Sequence, residues 1–137
     1  MPVEPLAHYL RDLPSASPAP GGGAAAALTV AQGLALLAMA CNLTLGRKKF
    51  AAVEEQVRAI GDHVAASWPA ALAEAHADMA AFGEVIAAYR LPANTRAEKG
   101  ARQEAIAEAS CKAAEPPLRL MALAAQALPL ADQMEQM

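Results

Sequence analysis

The stretch that most constrains the fold is residues 21–46, in which no residue is charged. It follows a proline-rich loop, which cannot be helical, and it ends at Gly46, a residue type that commonly stops a helix. The stretch therefore predicts a helix from Gly22 or Gly23 to Leu45. A helix of this length without charge is either a membrane span or a central helix buried on all sides of a bundle. Its many alanines and glycines and its few polar residues weaken the drive to insert, so we expect the buried helix and no membrane contact.

The residue composition predicts that the rest of the chain is helical as well. The 137 residues include 38 alanines but only 2 Phe, 2 Tyr and 1 Trp. Alanine is the best helix former, and the aromatic residues that favour strands are scarce. We expect an all-α protein, a single domain over residues 1–137 that forms an antiparallel helical bundle with long kinked helices and one glycine-rich loop.

Periodicity and turn residues predict the other helices. A short helix runs from Val3 to Asp12, and a long one begins near Lys49 and ends at Leu91, before a proline. Pro69 is expected to kink the long helix or to split it in two. Apolar residues spaced three and four apart predict its buried stripe, which comprises Val53, Val57, Ile60, Val64, Trp68, Leu72, Ala75, Met79, Phe82, Ile86 and Tyr89.

The last helical region shows a capping-box pattern, in which Thr95 precedes Glu98 by three residues. We expect this helix to start at about Thr95, to break or bend at Pro116 and Pro117, and to continue to Leu128.

Charge and cysteine content exclude several classes of function. The net charge is −3, and no basic patch is interleaved with aromatic residues, so nucleic-acid binding is not expected. Cys41 and Cys111 form no C-x-x-C pair, and the three histidines have no metal-ligand spacing, so we expect two free thiols that are both buried, and no metal. The first residues lack the layout of a signal peptide. A cytoplasmic location is therefore expected.

The glycine-rich loop is the first candidate site, and its residues are Pro20, Gly21, Gly22 and Gly23. Glycines let the backbone approach a ligand closely, and the start of a helix presents unpaired N–H groups at the positive end of its dipole. These features suit an anion or a carbonyl oxygen. A tight turn packed against a neighbouring helix explains the same residues equally well.

The second candidate site lies at the other end of the same helix, where Asn42 and Thr44 precede a basic triplet. The triplet comprises Arg47, Lys48 and Lys49. Three adjacent cations at a helix junction suit a substrate with carboxylates or phosphates. The alternative is an ordinary solvated turn.

The third candidate is Asp78, which helical geometry puts at the edge of the apolar stripe of the long helix, near Phe82. A carboxylate at the margin of a core is partly shielded from water, which suits acid–base chemistry. Alternatively, Asp78 pairs with a cation of another helix, for which Arg102 is a candidate.

The order of these motifs resembles the cyclodeaminase domain of formiminotransferase-cyclodeaminases and the related bacterial methenyltetrahydrofolate cyclohydrolases. The resemblance covers nearly the whole chain. The family pattern Pro-Thr-Pro-Gly-Gly-Gly corresponds to Pro-Ala-Pro-Gly-Gly-Gly at residues 18–23. Its Met-x-x-Asn-Leu-Thr-x-Gly-Lys-Lys-Lys-Tyr corresponds to residues 39–50, where Arg47 and Phe50 replace the first lysine and the tyrosine. Asp-x-x-Ala-Phe, Ala-x-x-Leu-Pro and Arg-x-x-x-Ile-x-x-Ala follow, and they begin at Asp78, Ala88 and Arg102.

The resemblance implies an enzyme of folate one-carbon metabolism. The context of the Asn-Leu-Thr motif resembles the stand-alone cyclohydrolases, which puts that activity slightly ahead of formimidoyltetrahydrofolate cyclodeaminase. Asp78 would then be the acid–base residue or would orient the nitrogens of the tetrahydrofolate, while Lys48, Lys49 and the helix start would hold the anionic tail of the folate. Neither reaction requires a metal or a prosthetic group.

The sequence departs from the family at several points. Ala24 and Ala93 replace a common serine and a common lysine. Relatives continue for a further helical segment that contains a Ser-Asp motif, so the chain is expected to be a short variant or a truncated form. A face left uncovered would favour a homodimer or a higher oligomer. A non-catalytic folate-binding or assembly subunit is the alternative function.

Overall fold

The computed structural model describes residues 3–17 and 19–137, with the backbone alone at residues 3 and 4, and every regular element within these ranges is a helix. The all-α prediction is confirmed. The elements are α1 (Val3–Asp12), α2 (Gly22–Thr44), a 3₁₀-helix (Lys48–Val53), α3 (Glu54–Tyr89), α4 (Arg96–Ala113) and α5 (Glu115–Glu135).

Glycines bound α2 at both ends, as its sequence predicts. Gly21 precedes the helix in an extended conformation, with φ −110° and ψ −170°. Gly46 follows it with φ +74°, in the left-handed region that favours glycine. The chain therefore enters and leaves α2 by sharp turns, and both motifs lie at these turns.

The long helix α3 begins later than its sequence indicates. The start near Lys49 is wrong, because residues 48–53 form a 3₁₀-helix in which the Phe50 N–H donates to the Arg47 carbonyl at 2.9 Å. Helix α3 itself starts at Glu54. Pro69 lies inside α3 without dividing it, so the predicted split is wrong and the kink stays a prediction.

The capping box of α4 is confirmed. The Thr95 hydroxyl accepts from the Glu98 N–H at 3.1 Å, and the Glu98 carboxylate accepts from the Thr95 N–H at 3.0 Å. The predicted break lies at the junction of α4 and α5, where Pro116 occupies the first turn of α5, in which a helix tolerates proline. Helix α5 continues through Pro129 to Glu135, well past the predicted end at Leu128.

Helix α3 organises the packing. Helix α2 runs antiparallel to it, because α2 contacts α3 at Cys41 beside Gly61 and at Gly23 beside Asp78. Helices α4 and α5 return along α3 one after the other. The guanidinium of Arg119 in α5 donates twice to the Glu74 carboxylate of α3, at 2.9 and 3.0 Å. As a consequence, α5 runs parallel to α2.

Small residues form much of the core between α2, α3 and α5. The principal cluster consists of buried residues on all three helices: Ala24, Ala27, Ala31, Leu34, Val64, Ala71, Ala75 and Leu120. The predicted stripe of α3 is only partly right, since Trp68, Phe82 and Tyr89 are 38%, 41% and 53% exposed. Helix α2 presents mainly alanines to α3, so the two helices pack closely through small residues. Beyond Asp78, α3 extends past the start of α2 and has no α2 residues to contact.

The expectation that α2 is buried on all sides is wrong. Leu36, Met39 and Leu43 are 60%, 51% and 57% exposed, because α3 and α5 cover only one side of the helix. By length and composition alone, α2 is also the one described helix that is apolar enough to cross a membrane, and 28% of its apolar window is buried. We call the uncovered side, with Gly22, Gly33, Leu36, Met39 and Leu43, the outer face of α2.

Candidate active site

The glycine-rich loop leads directly into the first turn of α2. The Ala25 N–H donates to the Gly21 carbonyl at 3.1 Å, which is the first bond of the helix. The N–H groups before it have no acceptor within the helix, and no side-chain cap is present at Gly21 among the described residues. None of the residues of this turn is acidic. Pro18 of the motif lies outside the described residues.

Asp78 lies against this first turn. Its carboxylate occupies the space that a Cβ on Gly23 would need, so any other residue at this position would have to displace the carboxylate. A cavity of about 270 Å³ opens beside the pair. It is lined by Ala19, the three glycines, Asp78, Met79 and Phe82. The structure thus brings together the first and third candidate sites of the sequence.

An apolar cavity of about 530 Å³ adjoins the first one, and Met79 lines both. It lies between α1, α2 and α3, and its walls include Tyr9, Pro20, Leu28 and His76. The Tyr9 hydroxyl is buried and has no hydrogen-bond partner among the described residues. Neither Tyr9 nor His76 stands out in the sequence as a site residue, and the only signal for Tyr9 is that it is an aromatic residue in a helix next to the loop.

The basic triplet lies far from this cavity within one chain. Helix α2 has 23 residues, and at 1.5 Å per residue its two ends are about 33 Å apart. Arg47, Lys48 and Lys49 are all exposed at the far end. The Lys49 ammonium lies over the ring of Phe50, 5.1 Å from its centre. One chain does not bring the triplet and Asp78 together.

Asn42 and Thr44 belong to the same far end as the triplet. Asn42 is exposed. The Thr44 hydroxyl is half-buried and donates to the Ala40 carbonyl at 2.8 Å, within its own helix. The Asn-Leu-Thr motif therefore forms the last turn of α2 and contributes nothing to the cavity of its own chain.

Arg102 does not pair with Asp78. Its guanidinium donates to the Tyr89 carbonyl at the end of α3, at 2.8 Å, and lies 5.9 Å from the ring centre of Tyr89. The alternative in which the Asp78 carboxylate is a partner of Arg102 is therefore wrong, because Arg102 lies beside Tyr89, about three turns of α3 beyond Asp78. In residues 3–17 and 19–137, Asp78 takes part in no ion pair.

The two thiols are free, but the expectation that both are buried is wrong for Cys111, which is exposed on α4. Cys41 is fully buried, and its Sγ lies 3.8 Å from the Met134 sulfur. Burial raises the pKa of the Cys41 thiol above its ordinary value, and a backbone hydrogen bond offsets a part of this. Cys41 is therefore a packed core residue. Across the described ranges, no three side chains of the metal-binding types come together.

Comparison with known proteins gives a consistent result. Residues 5–137 match the family described as formiminotransferase-cyclodeaminase. The chain is 37% identical to the methenyltetrahydrofolate cyclohydrolase of Methylorubrum extorquens over 94% of its own length and 62% of that protein. It is 32% identical to the formimidoyltransferase-cyclodeaminase of Rattus norvegicus over 96% of its own length and 24% of that protein.

Because the family match extends over nearly all of its residues, the chain belongs to the formiminotransferase-cyclodeaminase family. It spans less than two thirds of the length of each of these two relatives.

Proposed function

We propose that this member of the family is a folate one-carbon enzyme, a methenyltetrahydrofolate cyclohydrolase in the first place and a formimidoyltetrahydrofolate cyclodeaminase in the second. The observation that carries the proposal is the Asp78 carboxylate beside the unpaired N–H groups that open α2. A relative at 37% identity carries the cyclohydrolase name, which supports that order.

The cavity supplies two groups that hydrolysis of a methenyl bridge needs. The bridging carbon of the substrate is cationic, and a nearby carboxylate stabilises it. Asp78 takes a proton from the attacking water as the carbon–oxygen bond forms, and it returns this proton to N5 as the C–N5 bond breaks. The N–H groups of the first turn of α2 stabilise the oxygen that becomes the formyl carbonyl. The product is the N10-formyl form, and one proton is released.

The same groups suit a cyclodeaminase. In that reaction N10 attacks the formimino carbon on N5, and ammonia leaves after it receives a proton. Asp78 would accept the N10 proton and pass a proton to the leaving nitrogen. The two reactions share the proton shuttle and differ in the nucleophile, so the residues of the cavity favour neither reaction.

The apolar cavity next to Asp78 is suited to the ring system of the folate. It is larger than the first cavity and its lining is mostly apolar, and the Tyr9 hydroxyl offers a donor that no described residue uses. The enzyme we propose requires no prosthetic group and no metal, and it acts in the cytoplasm.

Asp78→Asn tests the proposal, because this change keeps the shape of the side chain and removes its titratable proton. We expect turnover of the methenyl or formimino substrate, followed by ultraviolet absorbance, to fall by roughly 10²–10⁴-fold. Asp62→Asn is the control, since Asp62 is an exposed carboxylate on the same helix. Circular dichroism of all three proteins checks that the helices are intact.

Two results would overturn the enzyme proposal. Asp78→Asn with undiminished turnover per folded molecule would remove the carboxylate from the mechanism. Wild-type protein that binds folates without converting either substrate would instead support the non-catalytic folate-binding subunit.

A further inference from the structure

We infer that α1 is a lid over the apolar cavity, and that the Tyr9 hydroxyl holds this lid closed by donating a hydrogen bond to the ring of a bound folate. The inference rests on the proposed function for the identity of the ligand. The lid itself is inferred from the way α1 is attached, and the role of Tyr9 from its unpaired hydroxyl.

Helix α1 is attached to the rest of the protein by side-chain packing and by the loop that follows it. Among the described residues, every hydrogen bond and ion pair of residues 5–17 stays within that segment. Leu6 and Tyr9 are half-buried, whereas Leu10 is 56% exposed. The cavity of about 530 Å³ lies between α1 and the pair formed by α2 and α3, and in the described part of the chain α1 packs closely along no other helix. An element with so few attachments opens at low cost in free energy.

The Tyr9 hydroxyl makes the closed position of α1 depend on a ligand. The hydroxyl is buried, and no described residue pairs with it. A buried donor without an acceptor destabilises the conformation that buries it. The lining of the cavity is mostly apolar, so it offers few of the polar partners that an ordered water molecule needs. The empty closed form is therefore disfavoured, and either an outward movement of α1 or an acceptor on a ligand removes the cause.

The ring of a folate supplies that acceptor. A pterin carries a carbonyl oxygen and ring nitrogens at its edges, and its flat faces suit the apolar walls that Leu28, Leu72 and Met79 provide. A bound ring both pairs the Tyr9 hydroxyl and fills the space beneath α1. Each effect gives the ligand a higher affinity for the closed form than for the open one, which is the condition for a ligand to close a lid.

The loop between α1 and α2 connects the lid to the candidate catalytic carboxylate. Pro20 lines the apolar cavity, while Ala19 and Gly21 line the smaller cavity beside Asp78. A movement of α1 therefore acts on the same loop that leads into the first turn of α2. Closure over a bound ring fixes this loop next to the Asp78 carboxylate and shields the ring from bulk water.

Limited trypsin digestion of the full chain reports the position of the lid. Arg11 is exposed in α1, and it is the only lysine or arginine before Arg47, so cleavage after Arg11 follows the opening of this one helix. Tetrahydrofolate is the probe, because it carries no one-carbon unit and is bound without turnover. We expect a saturating concentration to slow cleavage after Arg11 about tenfold. Cleavage after Arg96, which is exposed in the first turn of α4, is the internal reference and should keep its rate.

Tyr9→Phe isolates the contribution of the hydroxyl, because the aromatic ring stays in place. Without the unpaired donor, the free variant should be cleaved after Arg11 more slowly than the free wild type. Tetrahydrofolate should bind the variant roughly 3–10-fold more weakly in calorimetry, and it should protect Arg11 by a smaller factor. Tyr89→Phe is the matched control, since Tyr89 is the other tyrosine of the chain and is 53% exposed. It should behave like the wild type.

Three results on protein that binds tetrahydrofolate would overturn the inference. Faster cleavage of the free Tyr9→Phe variant would show that the hydroxyl has a structural partner. An unchanged affinity of this variant would remove the hydroxyl from the ligand site. Cleavage after Arg11 at the same rate with and without ligand would show that α1 is no lid. Wild-type protein that binds no tetrahydrofolate would instead refute the proposed function, and the inference with it.

Discussion

Gly23 and Asp78 are in direct contact, since the Asp78 carboxylate lies where a side chain on Gly23 would begin. Of the three glycines of the loop, only Gly23 is required by packing, because a Cβ on Gly21 or on Gly22 would meet nothing. The contact fixes the register of α2 on α3 and sets the carboxylate beside the unpaired N–H groups of α2. Packing and the candidate chemistry depend on the same residue pair.

Gly23→Ala should therefore damage the site more than a change at the neighbouring glycine. The added methyl group has to displace the carboxylate, either by a new Asp78 rotamer or by separation of α2 from α3. We expect lower thermal stability and a large loss of turnover or of folate affinity, while Gly22→Ala changes both little. Asp78→Ala combined with Gly23→Ala should restore the stability without restoring turnover. Equal behaviour of the two single variants would contradict the contact.

The sequence predicted the components of this site but not their assembly. The glycine loop and Asp78 each stood out by residue type, and helical geometry put Asp78 at the margin of a stripe. Their contact depends on how far α2 slides along α3, which a single sequence does not encode as a local pattern. The position of Tyr9 in the site was not predictable for a related reason. A tyrosine in a short helix can be assigned to a ligand cavity only once the packing of the helices is known.

The wrong predictions of buried residues on α3 have a physical cause as well. Hydrophobic spacing counts Trp68 and Phe82 as core residues, yet the helix against which α3 packs is lined with alanines. Close packing then selects small residues such as Ala71 and Ala75, and the large rings are displaced to the rim. The helix ends were predicted well where a local rule decides them, as at Gly46 and Thr95.

The capping box predicts a measurable contribution of Thr95 to stability. Thr95→Ala removes the acceptor of the Glu98 N–H at the start of α4. We expect the free energy of unfolding to fall by about 1 kcal/mol in urea titrations. Ser110→Ala is the control, because Ser110 is exposed within the same helix. A loss of the same size in both variants would show that the cap adds nothing.

The basic triplet predicts a salt-dependent preference for folates with long tails. Lys48→Ala combined with Lys49→Ala should weaken binding of a polyglutamyl folate by about 1–3 kcal/mol if the contacts are charge-assisted hydrogen bonds. Binding should also become less sensitive to added salt. Arg96→Ala with Lys99→Ala removes the same charge from α4 and should have little effect. If the affinity and the salt dependence of the Lys48 and Lys49 variant were unchanged, the triplet would be an ordinary solvated turn and not a binding site.

The two cysteines should differ sharply in reactivity. Cys111 is exposed, whereas Cys41 is fully buried under the 3₁₀-helix and the end of α5. Burial raises the pKa of Cys41 above 9.0, so less of the reactive thiolate is present. A thiol reagent should label one cysteine in the native protein and two in urea, and Cys111→Ser should remove the native reaction. Prompt native labelling of Cys111→Ser would contradict the burial of Cys41.

The raised pKa of Cys41 also sets the direction of a pH effect on stability. The thiol of Cys41 is favoured in the folded protein, while the unfolded chain ionises near its ordinary value of 9.0. The contribution of this residue to stability is therefore complete below pH 9.0 and declines as the pH rises through the folded pKa. Urea titrations of wild type and Cys41→Ala, each between neutral pH and pH 10, should converge as the pH increases. A constant difference between the two proteins would show that Cys41 ionises alike in the folded and unfolded states.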